Sequence, residues 1–171
     1  NVQLSDYKTI IDEFRRINFS LYDGVIVTHG SDTLAYTSAL LGLLFSNINK
    51  PVCVVAADKS LQDEKSNGMD NFIASVELIR QGINGVYVPY RNSDSVVYIH
   101  RAVELFESDT LSDDFYSLGG AYAVFENGSI VKKKEYSKLH TVDIANANLN
   151  FEKRIMQVML YPDLDYSRFD V

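Results

Sequence analysis

One cysteine, three histidines and a shortage of positive charge exclude several classes for this chain of 171 residues. Cys53 has no second cysteine to bond, so no internal disulfide forms. That favours a reducing compartment, and a cytoplasmic protein is expected. Cys53 lies in the apolar run PVCVVAA (51–57), where a packed, inert thiol is expected rather than a nucleophile. His29, His100 and His140 are scattered, without the spacing of a zinc site. No metal and no other cofactor is called for. Lys and Arg number 16 against 23 Asp and Glu, a net charge of −7. Phosphate contacts need clustered cations, so no nucleic-acid partner is expected. The one basic cluster, Lys132–Lys134, follows a turn signal and reads as a solvated hairpin end. No apolar run approaches the roughly 20 residues of a membrane span, and no membrane partner is expected. Internal repeats and low-complexity tracts are absent.

What remains is an ordinary globular balance, 46% hydrophobic and 23% charged, which is enough to bury a core. The length suits one domain, or one domain and the start of another. The chain opens on Asn1 and closes on YSRFDV, and it reads as a piece of a longer polypeptide.

Periodicity predicts the elements. Tyr7, Ile10, Ile11, Phe14 and Ile17 recur at helical spacing behind Ser5, a candidate N-cap. Residues 24–28 and 52–57 read as buried strands, with an apolar helix over 33–45 between them. Residues 71–81 form a helix with Phe72, Ile73, Val76 and Ile79 on one face, and Gly82 suits its C-terminus. Strands follow at 85–89 and 95–100. This alternation predicts βαβ units with right-handed crossovers. Residues 102–117 read as irregular or short helix. Asn127-Gly128 between two strand-like runs is a type I′ hairpin signal. Residues 145–150 look like a linker, and RIMQVML (154–160) like one more strand.

The segment YDGVIVTHGSDTLAYTS (22–38) carries the chemistry. An apolar strand stops at Thr28, His29, Gly30, Ser31, Asp32 and Thr33, and a helix begins at once. Open α/β sheets bind ligands at the carboxyl ends of their strands, and helix starts favour anions. Gly30 lets a ligand approach the backbone, Ser31 offers a hydroxyl, and Asp32 suits an ammonium group. Together they fit a zwitterionic amino acid. The competing reading is plain helix capping by Ser31 or Asp32. The polar loop 58–67 closes the neighbouring strand and faces the same crevice.

YDGVIVTHGSDTLAYTSALL resembles the signature of the bacterial-type L-asparaginase/glutaminase family, particularly its cytoplasmic type I branch. That family reads DG-(apolar)-THGTDT, often continuing LAYTASAL. KPVCVVAADKSLQDEKSNGMDNFIASV (50–76) follows its next block, and RIMQVMLYPDLD (154–165) looks like the first strand of its C-terminal domain. The resemblance implies an α/β fold: a mostly parallel sheet flanked by helices, plus the first strand of a second α/β domain. The implied division is 1–144 for an N-terminal domain lacking its first strands, 145–153 for a linker and 154–171 for the second domain. It implies hydrolysis of asparagine, in some members glutamine, through a hydroxyl nucleophile and an acyl-enzyme. No cofactor is implied. The nucleophilic Thr of THGTDT falls on Ser31, and the Asp that grips the substrate's ammonium falls on Asp32. Gly30, Ala57 and Asn1 take substrate-binding positions. Dimers or tetramers are the implied assembly, and a small amino-acid amide the implied partner.

Three departures stand out. The family's site lysine is missing, since no lysine lies between Lys65 and Lys132, and Phe106 or Glu107 fills its slot. The Asp of the family's S-D-G is Asn67, and the small Gly after the second strand is Ala56, with Asp58 two residues on. The family's first hydroxyl centre, in a TGGT-like motif, would precede Asn1, so residues 1–171 alone are expected to be inactive. Two alternatives stay open. One is a catalytically degraded relative that only binds an amino acid or assembles. The other is the asparaginase-like component of an archaeal tRNA-dependent amidotransferase, which the acidic balance and the type I wording rank lower.

Overall fold

A computed structural model describes residues 2–45, 47–135, 162–165 and 167. Six strands form one sheet in sequential order: β1 (Val25–Thr28), β2 (Pro51–Val55), β3 (Gly85–Arg91), β4 (Val97–Arg101), β5 (Ala123–Glu126) and β6 (Ser129–Lys132). Three α-helices accompany them: α1 (Leu4–Arg16), α2 (Leu34–Leu44) and α3 (Gly68–Arg80). The α/β class with helices on the sheet is as expected. β1, β2 and β3 pair in parallel, while β3–β4, β4–β5 and β5–β6 are antiparallel, so the sheet is mixed.

The antiparallel half differs from the expected βαβ series. Between Arg91 and Val97 lies only a tight turn, in which Ser95 N donates to Asn92 O at 3.0 Å and Ser95 takes φ 67°. A parallel crossover needs a dozen residues or more, so β4 can only fold back on β3. The second hairpin follows its signal: Asn127 and Gly128 take φ 51° and 75°, as a type I′ turn requires.

β2 is buried at every position, and alternation splits its side chains between two cores. Val52 and Val54 join Phe14, Leu34 and Leu41 on one face. Cys53 and Val55 join Ala74 and Leu78 on the other. Helices α2 and α3 therefore cover opposite faces. Both crossovers step the same way across the sheet, β1 to β2 to β3. Two right-handed crossovers would put both helices on one face, so one of the two is left-handed, against the expected rule.

The helices also correct local readings. The start of α1 is closed by the Asp6 carboxylate, which accepts from Gln3 N at 2.8 Å, and Ser5 lies inside the helix. In α3 the residues that face the sheet are, apart from Leu78, small or polar: Gly68, Asn71, Ala74 and Ser75. Phe72, Ile73 and Val76 point outward and are 42–46% exposed. The reason lies at the helix start. A Cβ on Gly68 would sit 2.8 Å from the Ala57 Cβ, and Asn71 is spent on strand ends, so this is the face that fits against the sheet. Tyr36 of α2 is half-exposed.

Cys53 is fully buried, and burial pushes its thiol up to about 12, which makes it inert as expected. His100 is buried with Nδ1 2.7 Å from the Ser117 hydroxyl, and burial lowers its pKa to about 4. In the unfolded chain the imidazole titrates near its ordinary value of about 6.5. Above that value both states are neutral and stability is complete. As pH falls from 6.5 towards 4 the unfolded state takes up a proton that the native state refuses. About 3 kcal/mol is expected to be lost across that window. Urea titrations between pH 7 and 4 measure it. His100→Asn should flatten the slope, and an unchanged slope would assign the loss to other groups.

Residues 136–161 lie outside the described residues, and with them the linker at 145–153, the strand expected at 154–160, and His140. The described residues of 154–171 are 162–165 and 167.

Candidate functional site

The carboxyl ends of β1 and β2 build the site. His29 N donates to Val55 O at 2.8 Å, which carries the β1–β2 ladder one residue past the strand. The chain then turns through Gly30 into a 3₁₀ turn over Ser31–Thr33 and on into α2. His29 is held by the fold itself: its Nδ1 lies 2.7 Å from Gly30 O and its Nε2 2.8 Å from the Thr37 hydroxyl. A carbonyl can only accept, so Nδ1 carries the proton and Nε2 accepts from Thr37. Both ring nitrogens of His29 are thus taken up by the fold.

Ser31 is half-buried and Asp32 exposed. The N-cap positions are Gly30 for the 3₁₀ turn and Thr33 for α2, and neither start has a side-chain cap. The capping explanation for Ser31 and Asp32 therefore fails. Among the described residues neither side chain is engaged in a hydrogen bond or ion pair, which leaves a hydroxyl and a carboxylate uncommitted where helix N–H groups converge. Gly30 has φ −82°, a conformation any residue adopts, and a Cβ there would meet nothing within 4 Å. The fold itself does not demand glycine at this position.

The β2 side is a clasp. Asp58 N donates to Asn67 Oδ1 and Asn67 N donates to Asp58 Oδ1, both at 2.9 Å. Asn67 Nδ2 also donates to Arg91 O at 2.9 Å. Asn71 works beside it: Nδ2 donates to Ala56 O at 2.9 Å, and Oδ1 accepts from Arg91 N at 2.7 Å. Two buried amides thus lock the ends of β2 and β3 to the start of α3. Ala57, half-buried between them, is pressed by Gly68. Asn67 is the departure from the family's Asp, and its role here is structural. A carboxylate could not donate to Arg91 O. An ion pair between Arg91 Nε and Asp70 at 2.9 Å fastens the rim.

Glu107 is one of the two residues, with Phe106, that stand where the family's lysine is expected. Its carboxylate accepts a hydrogen bond from the Tyr36 hydroxyl, and that bond, with burial and the carboxylate charge, raises the Tyr36 pKa. Phe106 beside it is 53% exposed. Asn1 lies outside the described residues. The Asp58–Asn67 clasp closes one loop over nine residues, the Tyr36–Glu107 contact joins residues far apart in sequence, and no local pattern announces either. The polar character of the 58–67 loop is the one available signal.

The family described as "Asparaginase, N-terminal" matches residues 1–136. The chain belongs to the asparaginase family. Its asparaginase N-terminal domain has a fold like that of the thermostable L-asparaginase from Thermococcus kodakarensis, with a TM-score of 0.68 at 24% identity over 82% of this chain and 42% of that one. The probable cytoplasmic L-asparaginase from Campylobacter jejuni gives 0.65 at 24% identity over 81% and 43%. At that identity the likeness concerns the fold. Among curated proteins, the chain is 28% identical to a glutamyl-tRNA(Gln) amidotransferase component of Pyrococcus abyssi, over 86% of this chain and 35% of that one. It is 26% identical to the corresponding amidotransferase component of Methanococcus maripaludis, over 84% and 36%. The chain thus spans about a third of the length of these curated relatives. They bring the amidotransferase reading, ranked low on charge, level with the asparaginase reading. No helix among the described residues is long and apolar enough to cross a membrane.

Proposed function

We propose that this asparaginase N-terminal domain supplies half of an amide-cleaving site, with Ser31 as nucleophile and Asp32 as the anchor for the substrate's α-ammonium. The observation that carries this reading is the uncommitted pair itself: a hydroxyl and a carboxylate with no structural duty, at a strand end beside a helix start. The substrate is L-asparagine, with L-glutamine as the longer homologue. Ser31 Oγ bonds to the side-chain amide carbon, the C–N bond breaks, ammonia leaves, and water cleaves the resulting ester. Helix-start N–H groups favour the charge that develops on oxygen. Gly30, open on its outer side, lets substrate approach the backbone, with Ala57 and Asn1 as further contacts. The slot of the family's lysine holds Phe106 or Glu107 here, and the proton that Ser31 gives up leaves with the departing nitrogen as ammonia.

The domain division proposed is 1–144, a linker at 145–153 and a second domain from 154. A cytoplasmic homo-oligomer is the proposed setting. Met69, Phe72, Ile73 and Val76 form an outward apolar stripe on α3, and such stripes suit a protein–protein contact. A second reading follows from the amidotransferase relatives: the same cleavage, with the ammonia passed to an acylated tRNA instead of released.

Ammonia release from asparagine and glutamine by the intact protein, with and without charged tRNA, tests both. Release without tRNA supports the hydrolase, and release only with it supports the amidotransferase. No cleavage under either condition, with amino-acid binding retained, would leave the degraded relative.

A further inference from the structure

Three asparagines in the chain are followed directly by glycine: Asn67-Gly68, Asn84-Gly85 and Asn127-Gly128. Such a pair can react with itself, because the glycine nitrogen reaches the side-chain amide before it with no Cβ in the way. The fold treats the three pairs very differently.

Asn67 is 1% exposed, and both ends of its amide are held, Oδ1 by Asp58 N and Nδ2 by Arg91 O. Gly68 N donates to Ser66 Oγ at 3.3 Å. Asn84 is exposed, but Gly85 opens β3 and its N–H donates to Lys50 O at 3.3 Å. The Tyr87 hydroxyl donates to Asn84 O at 3.1 Å, and a Cβ on Gly85 would lie 3.1 Å from the Tyr87 ring. Both pairs are therefore fixed at strand ends. Asn127 and Gly128 are exposed at the tip of the β5–β6 hairpin. Among the described residues neither the Asn127 amide nor Gly128 N has a hydrogen bond. A Cβ on Gly128 would meet nothing within 4 Å. Here both reacting groups are free, and solvent reaches both.

We propose that Asn127 is a site of spontaneous covalent modification, at which the side-chain amide is lost and aspartate and isoaspartate form. Gly128 N gives its proton to solvent and bonds to Asn127 Cγ. The Cγ–Nδ2 bond breaks, and Nδ2 takes up a proton from solvent and leaves as ammonia. Water then opens the cyclic imide. Opening at Cγ gives aspartate. Opening at the backbone carbonyl carbon gives isoaspartate, in which the main chain runs through the side-chain carbons. Water is the only co-reactant, and nothing is oxidised or reduced. The two products act differently on the fold. Asp-Gly is itself a type I′ pair, so the aspartate form keeps the hairpin. Isoaspartate adds a carbon to a two-residue turn held at φ 51° and 75°, and the turn no longer sets the register. Among the described residues β6 pairs only with β5, so β6 loosens first. The chemistry draws on no residue of the Ser31–Asp32 site.

Prolonged incubation of the intact protein in warm, mildly alkaline buffer tests it, with samples digested by trypsin and weighed. The peptide 102–132 holds Asn127 as its sole asparagine. It is expected to gain the mass difference between OH and NH2 and to separate into an aspartate and an isoaspartate form. The peptides with Asn67 and Asn84 should convert about tenfold more slowly or less, because each waits for a local opening of the fold. In urea the three rates should converge. Asn127→Gly keeps a turn-compatible pair without the amide, and its 102–132 peptide should hold its mass. Hydrogen exchange at Ser129–Lys132 should be faster in the aged protein than in the fresh one, whereas fresh Asn127→Asp should match the fresh parent. A 102–132 peptide that keeps its mass overturns the proposal, as does conversion of all three pairs at one rate in the native protein. Equal exchange in aged and fresh protein overturns the effect assigned to β6.

Discussion

Replacing Ser31 by alanine in the intact protein is expected to lower kcat/KM for asparagine by about a thousandfold or more, with the fold unchanged. The expectation follows from removal of a nucleophile, whose loss abolishes the covalent route and leaves only binding and background catalysis. Ser31 caps no helix, so the alanine costs no structural bond and the loss is chemical. Ser31→Thr restores the family's own residue and should return most of the activity. Asp32→Ala should also fall steeply, but through KM as well, because the ammonium loses its anchor. Equal activity of Ser31→Ala and the parent would remove Ser31 from the chemistry. A fall in Ser31→Ala accompanied by an equal fall in melting temperature would make its role structural.

Asn67→Asp, which also restores a family residue, is expected to do the opposite and destabilise. Asn67 is 1% exposed, and its amide donates to Arg91 O while accepting from Asp58 N. A carboxylate keeps the acceptor but turns a second oxygen on the Arg91 carbonyl, beside the charge of Asp58. The lost donor and the buried charge together are expected to cost about 3 kcal/mol. Urea denaturation reads this as a lower midpoint at unchanged slope. A change below about 0.5 kcal/mol would show that the loop relaxes and that the clasp does not hold the two strand ends.

These two positions show what the sequence makes legible. Strand β2 announces itself because every residue of PVCVV is buried and apolar. The Asn127-Gly128 hairpin does so because two positive φ angles in a row demand such residues. The motif THGSDT is legible because strand, glycine turn and helix start are contiguous. Other features are settled by contacts between distant residues. The docking face of α3 is chosen by Gly68, Ala74 and Ser75, small enough to approach the sheet, against the pull of a more apolar face. The left-handed crossover is a property of the assembled layers, and no local pattern encodes it. Asn67 reads as a loss of function in a linear comparison. In three dimensions it is one member of a reciprocal pair with Asp58, which lies nine residues earlier in the chain.

The most direct test of the central claim is a crystal structure of the intact protein grown with L-aspartate, the product of asparagine cleavage. The account predicts a ligand with its ammonium against the Asp32 carboxylate and its side-chain carboxyl within reach of Ser31 Oγ. Ser31 and Asp32 facing only solvent in such crystals, with no ligand against either side chain, would contradict it.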